Sequence, residues 1–549
     1  MTNATLLVKL DYAGKAASGK SSRGACLRFV TKGIAIASCL TLAALSARAT
    51  TTYTWSNADG GLLSDAANWK IGDAPAPSCP TAADNLLFTE GDYTITLDGD
   101  ASFDYLKVIA ASRTDAKAKY VTFDLDGHSL TLTDATAKCN QIDVNQNLEP
   151  PAALANGYYD ARLILSNGTV NATSPILLGN GAYNHRGYLK ITDATYNGSI
   201  SLGGSSLFVI ENGGVWNAPA TQTLGTEKST FTRDCCTRMR IDGKGTKAII
   251  DGNLWWNNTY DTMIVTNHAY LSCTTFVLKR SGGGGGSYAY AEVADHAVVT
   301  NTSNCNVGIQ PGVAGGSYSE LTISDRSSWY CGNAAQIGQS SSTGCLICVS
   351  GRSSFDTLTV SVGQGGTAVS NTFELVDSYC KIRSTGTQGI LLAGNYNDAT
   401  CQDNGIRISG TTARFDLEGG FRIYKDTGSY LAFEIPADGF ADEDGVARVP
   451  FYSKAAFSHN AKTSGYVSSG ATQLRIKAND WVRRHPGEQL TLMHFDTASK
   501  AALQELADGV VFEDLTGARL EKTTVSVSDD GKDLILTAAP ACGLILLLK

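Results

Sequence analysis

A short sequence phrase recurs about ten times within residues 163–416, and this repeat limits the possible folds more than any other feature of the chain. In each copy, two apolar residues separated by one spacer lead into Asp, Asn or Gly and then into a small polar turn. Residues 324–329 (Ser-Asp-Arg-Ser-Ser-Trp) match residues 350–355 (Ser-Gly-Arg-Ser-Ser-Phe) position for position, at a spacing of 26 residues. The same spacing relates Leu163 to Leu189, so one structural unit is repeated along the chain.

The repeat predicts an all-β fold, a right-handed parallel β-helix. Coils of such solenoids have this length, and variable intervals indicate loops inserted at the corners. Asp, Asn and Gly accept the left-handed backbone angles that a sharp corner requires. One coil cannot fold alone, so we expect consecutive coils to stack with like residues in columns. The predicted corner residues, at intervals of 20 to 33, are Asn167, Asp193, Gly213, Gly243, Asn267, Asp295, Asp325, Gly351, Asp377 and Gly410.

Four regions are predicted along the chain. Residues 1–49 form a signal peptide, 50–100 an N-terminal cap with the first strands, 101–420 the β-helix repeats, and 421–549 a β-rich C-terminal cap or small domain. The composition, with 57 glycines and 17% charged residues among 549, favours tightly turned strands over helices. One short helix is predicted, over residues 497–507.

Both ends of the solenoid need to be covered, because the first and last coils expose apolar surface and strand edges. We interpret Trp55 and Trp69 as a lid over the first coil, with a carbohydrate-stacking platform as the alternative. The apolar residues 543–549 are too few to cross a bilayer. They are interpreted as a last packed strand or as the remnant of a sorting signal.

The N-terminal segment has the layout of a secretory signal. A basic region up to Lys32 is followed by an apolar stretch over residues 33–45 and by the small-x-small sequence Ala47-Arg48-Ala49. About 13 apolar residues fall short of the roughly 20 that a membrane span needs. We therefore predict cleavage after Ala49 and an exported, extracellular or cell-surface protein without an integral membrane span.

Charge and cysteine content restrict the partners of the exported chain. Without residues 1–49 the chain has 37 basic and 51 acidic residues, a net charge of −14, which disfavours nucleic acid and anionic lipid. Twelve cysteines remain, and this even number permits disulfides of unknown connectivity. Cys345 and Cys348 form a CxxC pair without further ligands nearby, so we interpret them as core residues or disulfide partners and not as a zinc site.

No catalytic, cofactor-binding or metal-binding residue is predicted. Asp325 and Asp377 occupy equivalent corners but lie two coils apart, about 9.6 Å, which is too far for a nucleophile pair. Residues 442–445 (Asp-Glu-Asp-Gly) lack the full calcium loop, and residues 475–477 (Arg-Ile-Lys) resemble a polygalacturonase fragment without its companion motifs. The seven histidines lack ligand spacing and are interpreted as solvated: His128, His185, His268, His296, His459, His485 and His494.

The Trp-rich opening with Ser-Asp-Ala-Ala-Asn-Trp over residues 64–69, a proline cluster and repeats of the Leu-Gly-Asn-Gly and Leu-x-Ile-x-Asp kinds resemble a known class. They are similar to bacterial exported β-helix proteins related to autotransporter passengers, over residues 53–420, on a pectin-lyase-like solenoid. The resemblance implies a secreted or cell-surface protein with a structural or adhesive role. We expect no C-terminal membrane barrel, because the residues after Leu417 contain too few regular alternating strands.

The first functional hypothesis is therefore a non-catalytic surface solenoid that contacts glycans or other cell-surface components. A polysaccharide lyase or glycosidase on the same scaffold is the first alternative, since fold does not fix function. It requires acidic and basic side chains that converge in a groove along one face. The second alternative is a carbohydrate-binding surface that uses tryptophans as stacking platforms, with four candidates: Trp216, Trp255, Trp256 and Trp329.

Overall fold

Three parallel strands in each coil, stacked coil upon coil into three sheets, form most of this protein. The computed structural model describes residues 50–109, 119–133, 142–144, 159–179, 185–202, 206–224, 238–256, 261–278, 288–308, 318–339, 342–364, 368–392, 402–424, 427–460 and 471–541. The predicted signal peptide (1–49) and the apolar tail (543–549) lie outside the described residues.

Sheet 1 contains the strand that leads into each predicted corner. Its strands pair in parallel throughout, and two of them continue through the corner into sheet 2. The strands are Gly61–Leu62, Tyr93–Thr96, Val121–Asp124, Tyr159–Ala172, His185–Asn197, Leu207–Glu211, Arg238–Asp242, Thr262–Thr266, Ala289–Val293, Ser319–Ile323, Leu346–Val349, Thr372–Val376, Gly405–Ser409, Tyr430–Glu434, Gln473–Lys477 and Val510–Phe512.

Sheet 2 contains the strand that follows each corner. It receives the C-terminal halves of the two long strands Tyr159–Ala172 and His185–Asn197 and is also parallel throughout these coils. Its other strands are Ala101–Phe103, Ser129–Leu132, Val215–Ala218, Lys247–Ile250, Tyr270–Cys273, Val298–Asn301, Ser328–Cys331, Ser354–Thr357, Tyr379–Ile382, Arg414–Leu417, Phe451–Ser453 and Gln489–Phe495.

Sheet 3 closes each coil and consists of two parallel runs. The first run is Thr52–Trp55, Asn85–Thr89, Tyr105–Ile109, Ile142–Val144, Ile176–Leu178 and Ile200–Leu202. The second run is Gln222–Leu224, Leu254–Trp256, Phe276–Leu278, Cys305–Val307, Ala334–Gln339, Thr359–Gln364, Ile390–Leu392, Phe421–Tyr424 and Phe457–Asn460. Where the runs meet, the buried side chain of Gln222 accepts a hydrogen bond from the Ile200 N–H at 2.9 Å and bridges the interruption.

The predicted parallel β-helix is confirmed by the register of its coils. Leu321 pairs with Ile347 and Ile323 pairs with Val349, so equivalent repeat residues lie in adjoining layers. All ten predicted corner residues have positive φ angles, from 46° to 104°. The repeat therefore specified both the position of each corner and the side chains that stack through the interior.

The interior also contains polar ladders that satisfy backbone groups at the corners. Asn371 and Asn404 are fully buried, and the Asn371 side chain donates to Asn404 Oδ1 at 2.8 Å. The Asn371 side-chain carbonyl accepts the Cys345 N–H at 3.0 Å. Because an unpaired buried polar group is destabilising, the coils that contain Cys345 and Asn371 each depend on the amide supplied by the next coil.

The N-terminal tryptophans lie in the core of the first coils. A short 3₁₀ helix (Ala66–Asn68) and a hairpin of Trp69–Ile71 with Ala74–Pro75 pack over the first strand. Trp69 is fully buried and Trp55 is 6% exposed, with their rings edge to face at 5.1 Å. Their burial rules out the alternative of a carbohydrate-stacking platform at these two residues.

Parallel stacking continues beyond residue 420 before an antiparallel cap begins. Sheet 1 extends in parallel to Val510–Phe512, and Gln489–Phe495 then pairs antiparallel with Asp533–Thr537, which also pairs with Thr524–Val527. The repeat is hard to recognise here because long connections, such as residues 435–450, separate the strands.

The described part of the C-terminal region contains three α-helices where one was predicted. The helix predicted over 497–507 is present as Lys500–Asp508. The additional helices, Asn479–Arg484 and Gly517–Lys522, have only six residues each. A segment of that length is too short to show the helical periodicity on which the prediction depended.

The described cysteines are free thiols, so the alternative of disulfide partners is wrong for Cys345 and Cys348. The interpretation as a core residue is confirmed for Cys345, which is buried, and is wrong for Cys348, which is partly exposed because residues three apart in a strand face opposite sides of the sheet. Burial raises the pKa of the Cys345 thiol to about 11 and that of Cys273 to about 12. Burial, then Glu374 and Glu320, raise the pKa of Cys348 to about 11.

The asparagine ladder leaves no room for a side chain at Gly338. An added Cβ would lie 2.1 Å from Asn371 Cγ, whereas at Gly127 it would meet nothing within 4 Å, and both glycines have positive φ. We expect Gly127→Ala to lower the free energy of unfolding by about 1 kcal/mol and Gly338→Ala by about 3 kcal/mol or more. Urea titration checks this, and equal losses would contradict the packing described.

Thiol reactivity tests the placement of the cysteines, because the thiolate is the reactive form. At pH 8, below the raised pKa values, Cys273 and Cys345 remain protonated and buried. We expect iodoacetamide to modify the partly exposed Cys79 much faster than either of them, as mapped by mass spectrometry. In urea all three should react, and rapid modification of Cys345 in the folded chain would contradict its burial.

Candidate functional site

The outer surface of sheet 2 carries a row of aromatic and charged side chains, which we name the tyrosine face. Strand alternation directs every second residue outward, and parallel register aligns these residues from coil to coil. One outward row is Tyr330, Asp356, Lys381, Asp416, Tyr452 and His494, and a second row beside it includes Tyr379 and Arg414. At about 4.8 Å per coil, the first row extends roughly 24 Å.

Tyr330 is held by a cation–π contact while much of its ring remains accessible. The Arg383 guanidinium lies 4.6 Å from the ring centroid, and 44% of Tyr330 is exposed. Arg383 is fixed in turn by Asp356 at 2.5 Å and by the carbonyl oxygen of Cys331 at 2.6 Å. The ring is therefore oriented before any ligand arrives, which lowers the entropic cost of binding.

Tyr379 is anchored through its hydroxyl. The hydroxyl donates to Asp416 Oδ2 at 3.1 Å, and Arg414 Nε donates to the other oxygen of that carboxylate at 2.7 Å. Burial, followed by the charge of Asp416, raises the pKa of Tyr379. The side chain therefore remains a neutral donor, and its ring is 36% exposed.

Tyr452 and His494 extend the face toward the C-terminal cap. Their rings are parallel within 2°, with centroids 5.8 Å apart. The Tyr452 hydroxyl donates to Asp496 at 2.8 Å, a bond that raises the pKa of the phenol, and His494 Nδ1 lies 2.6 Å from Asp533. Aromatic rings with fixed polar groups beside them suit a sugar, whose ring has apolar faces and a hydroxylated edge.

A cleft on the outer surface of sheet 1, which we name the arginine cleft, brings acidic and basic residues together. In its central row, Arg407, Ala432 and Arg475 occupy successive coils, so the short alanine leaves a gap between two arginines. The cleft is shallow, with a cavity volume of about 20 Å³. The charged residues that line it are Glu374, Arg407, Glu434, Arg475, Lys477 and Glu513.

Arg475 is positioned by its neighbours. Its guanidinium carbon lies 4.0 Å from the centre of the Tyr430 ring, and Nε donates to Gln473 at 2.9 Å. Nη2 lies 3.4 Å from Asp403. The Arg-Ile-Lys fragment at 475–477 thus contributes both of its basic side chains to the cleft, although its companion motifs are absent from the repeats.

Most of the predicted tryptophan platforms are wrong. Trp216, Trp256 and Trp329 are fully or almost fully buried, with at most 1% of each exposed, because they occupy inward positions of their strands. Trp255 is partly exposed on the outer surface of sheet 3. The hypothesis of stacking on these tryptophans is therefore limited to one residue.

The predicted polar residues remain apart. Asp325 and Asp377 occupy corners two coils apart, with Gly351 between them, as expected. The Asp442 carboxylate accepts hydrogen bonds from the Val446 and Asp444 N–H groups and from Arg448, so it is engaged within its own turn.

The histidine prediction holds only in part. His268 and His296 are exposed, with their rings stacked at 4.8 Å across successive corners. His459, however, is wrongly interpreted as solvated, because its side chain is only 8% exposed and lies 3.0 Å from Glu505. It occupies the strand Phe457–Asn460 and not a turn.

Sequence reasoning missed the tyrosine face and Arg407. The sequence signal that could have found them is the alternation of side chains along a strand. Residues two positions apart face the same side of the sheet, so a residue next to a core residue faces solvent. Applied to Trp329, which is matched to Phe355 in the next repeat, this rule places Tyr330 outside.

Comparison with known proteins gives no relative from which a function could be transferred. No family model, curated protein or solved structure matches the chain. Across the described ranges, none of the helices combines the length and apolar character that a membrane crossing requires.

Proposed function

We propose that this protein is an exported β-solenoid with a structural and adhesive role, which contacts glycans through the tyrosine face and does not catalyse a reaction. The single observation that carries the proposal is the row of oriented, partly exposed tyrosines among charged side chains on one sheet. The three tyrosines named on this face, Tyr330, Tyr379 and Tyr452, are fixed by contacts within the protein. Such a surface recognises ring faces and hydroxyl groups without a deep pocket.

The flat, repeated geometry favours weak contacts made many times. Parallel register presents one set of side chains per coil, and a linear glycan along the sheet meets several sets in succession. Each contact alone is weak, but linked contacts raise the overall avidity. The negative charge expected for the exported chain also disfavours nonspecific attachment to nucleic acid or anionic lipid.

The exported location is supported by the sequence of residues 1–49, with its basic region, short apolar stretch and small-x-small site. The similarity to autotransporter passengers supports display at a bacterial surface. A solenoid is well suited to this role because its length grows by adding coils.

Truncation of the exposed tyrosines tests the adhesive role. On a glycan array, the full chain should bind a subset of saccharides, and Tyr330→Ala and Tyr379→Ala should each weaken that binding roughly two- to tenfold through lost stacking. Tyr288→Ala is the matched control, because this residue is 49% exposed but lies outside the tyrosine face. An equal loss in the control, or no binding by the full chain to any glycan, would reject the proposal.

A polysaccharide lyase or glycosidase is the second candidate, and the arginine cleft is the observation that favours it. The cleft gathers three carboxylates and three basic side chains, the convergence that an enzyme on this scaffold requires. Incubation with a panel of acidic polysaccharides should release unsaturated or reducing ends if the cleft is catalytic, and Glu374→Gln should reduce that release. No release across the panel would exclude this candidate.

A further inference from the structure

We propose that the arginine cleft is a binding site for the carboxylate of an acidic saccharide, with Arg407 and Arg475 as its ligands. The proposal names the glycan class for a second site on the solenoid and rests on the proposed glycan-binding role. It requires no catalysis, and it concerns a different sheet from the tyrosine face.

Arg407 is available for a ligand. It is exposed and stands opposite Glu374 and Ala432 in the register of sheet 1. Its side chain nevertheless forms no hydrogen bond or ion pair with any described residue. By contrast, the arginines of the tyrosine face are engaged, Arg383 with Asp356 and Arg414 with Asp416. A guanidinium carries five N–H donors, so Arg407 retains its full capacity to bind an anion.

Ala432 creates the space for that anion. The residues before and after it in the outward row are arginines, whose backbones stand about 9.6 Å apart over two strand spacings. A long side chain at position 432 would occupy the interval between the two guanidinium groups. With alanine there, the interval stays open and both arginines border the same volume.

Arg475 is held in place before binding by a layered arrangement. A Cβ at Gly405 would lie 2.1 Å from Tyr430 Cζ, so the tyrosine ring covers the glycine closely. Arg475 stacks on that ring and is oriented by Gln473. Because the guanidinium is already ordered, little side-chain entropy is lost when it binds.

The charge pattern of the cleft selects a saccharide with a single carboxylate per ring. A planar guanidinium matches a carboxylate with two parallel hydrogen bonds. Glu374, Glu434 and Glu513 border the same cleft and would repel a densely charged polyanion, but they can accept hydrogen bonds from hydroxyl groups. A uronic acid residue supplies one carboxylate and several hydroxyls, which matches both sets of partners.

Calorimetry with oligogalacturonate and its methyl ester tests the site, because the ester retains the sugar rings and removes the charge. The full chain should bind the acid more tightly than the ester. Arg407→Ala should weaken binding of the acid about tenfold or more and leave binding of the ester unchanged. Arg407→Lys, which keeps the charge without the planar fork, should give an intermediate loss.

Two further variants locate the effect. Ala432→Leu should weaken binding of the acid by filling the gap, and circular dichroism verifies that this variant folds. Arg326→Ala is the matched control, since Arg326 is an exposed arginine whose side chain also lacks a partner among the described residues. Binding of the acid by this variant should equal that of the unmodified chain.

Equal affinity for acid and ester, or an unchanged affinity after Arg407→Ala, would overturn the carboxylate site. If neither galacturonate form binds while other glycans bind and depend on Tyr330, the cleft proposal fails and the adhesive role stands. If no glycan binds at all, both proposals fail.

Discussion

The stacking of each coil on the next through parallel backbone hydrogen bonds is the interaction on which the rest of this structure depends. It requires every coil to turn at the same place, and the left-handed corner residues meet that requirement with Asp, Asn or Gly. Once the corners coincide, the alternation of side chains along each strand determines which of them face the core and which face solvent. A slip of one residue would reverse that assignment along the whole strand, so the register is tightly specified.

The same constraint explains why the two candidate sites, the tyrosine face and the arginine cleft, consist of side chains aligned on the outer surface of a sheet. Inward positions must fill a shared core, so aromatic residues there, such as Trp329 and Phe355, are committed to packing. Side chains at outward positions do not have to fill the core, so their size and charge can vary from coil to coil. A large residue such as Tyr330 then provides a surface for contact, whereas a small one such as Ala432 opens a gap between its neighbours.

The fold was readable from sequence wherever its determinants are local. Each phrase carries two inward residues and a corner residue within a few positions, so the register of Leu321 on Ile347 followed directly. The coils after residue 420 were not readable, because their strands are joined by long connections and lack regular corner signals. The candidate sites were also missed, since Arg407 and Arg475 are neighbours only through stacking and lie 68 residues apart in sequence. The hypothesis of tryptophan platforms failed because it considered the residue type and not whether each tryptophan occupies an inward or an outward position of its strand.

The two candidate sites share coils, and this arrangement affects how a glycan would be held. Strand Thr372–Val376 in sheet 1 continues through the corner at Asp377 into Tyr379–Ile382 of sheet 2, so the cleft and the tyrosine face are adjacent faces of the solenoid. The corner between them is covered by the connection of residues 435–450, because the Ala441 N–H donates to the Thr411 carbonyl at 2.9 Å beside Asp377. A saccharide bound at one of the proposed sites would have to pass around this connection to reach the other. For the proposed glycan contacts, avidity is therefore expected to arise from successive coils along one face, without a deep pocket on either sheet.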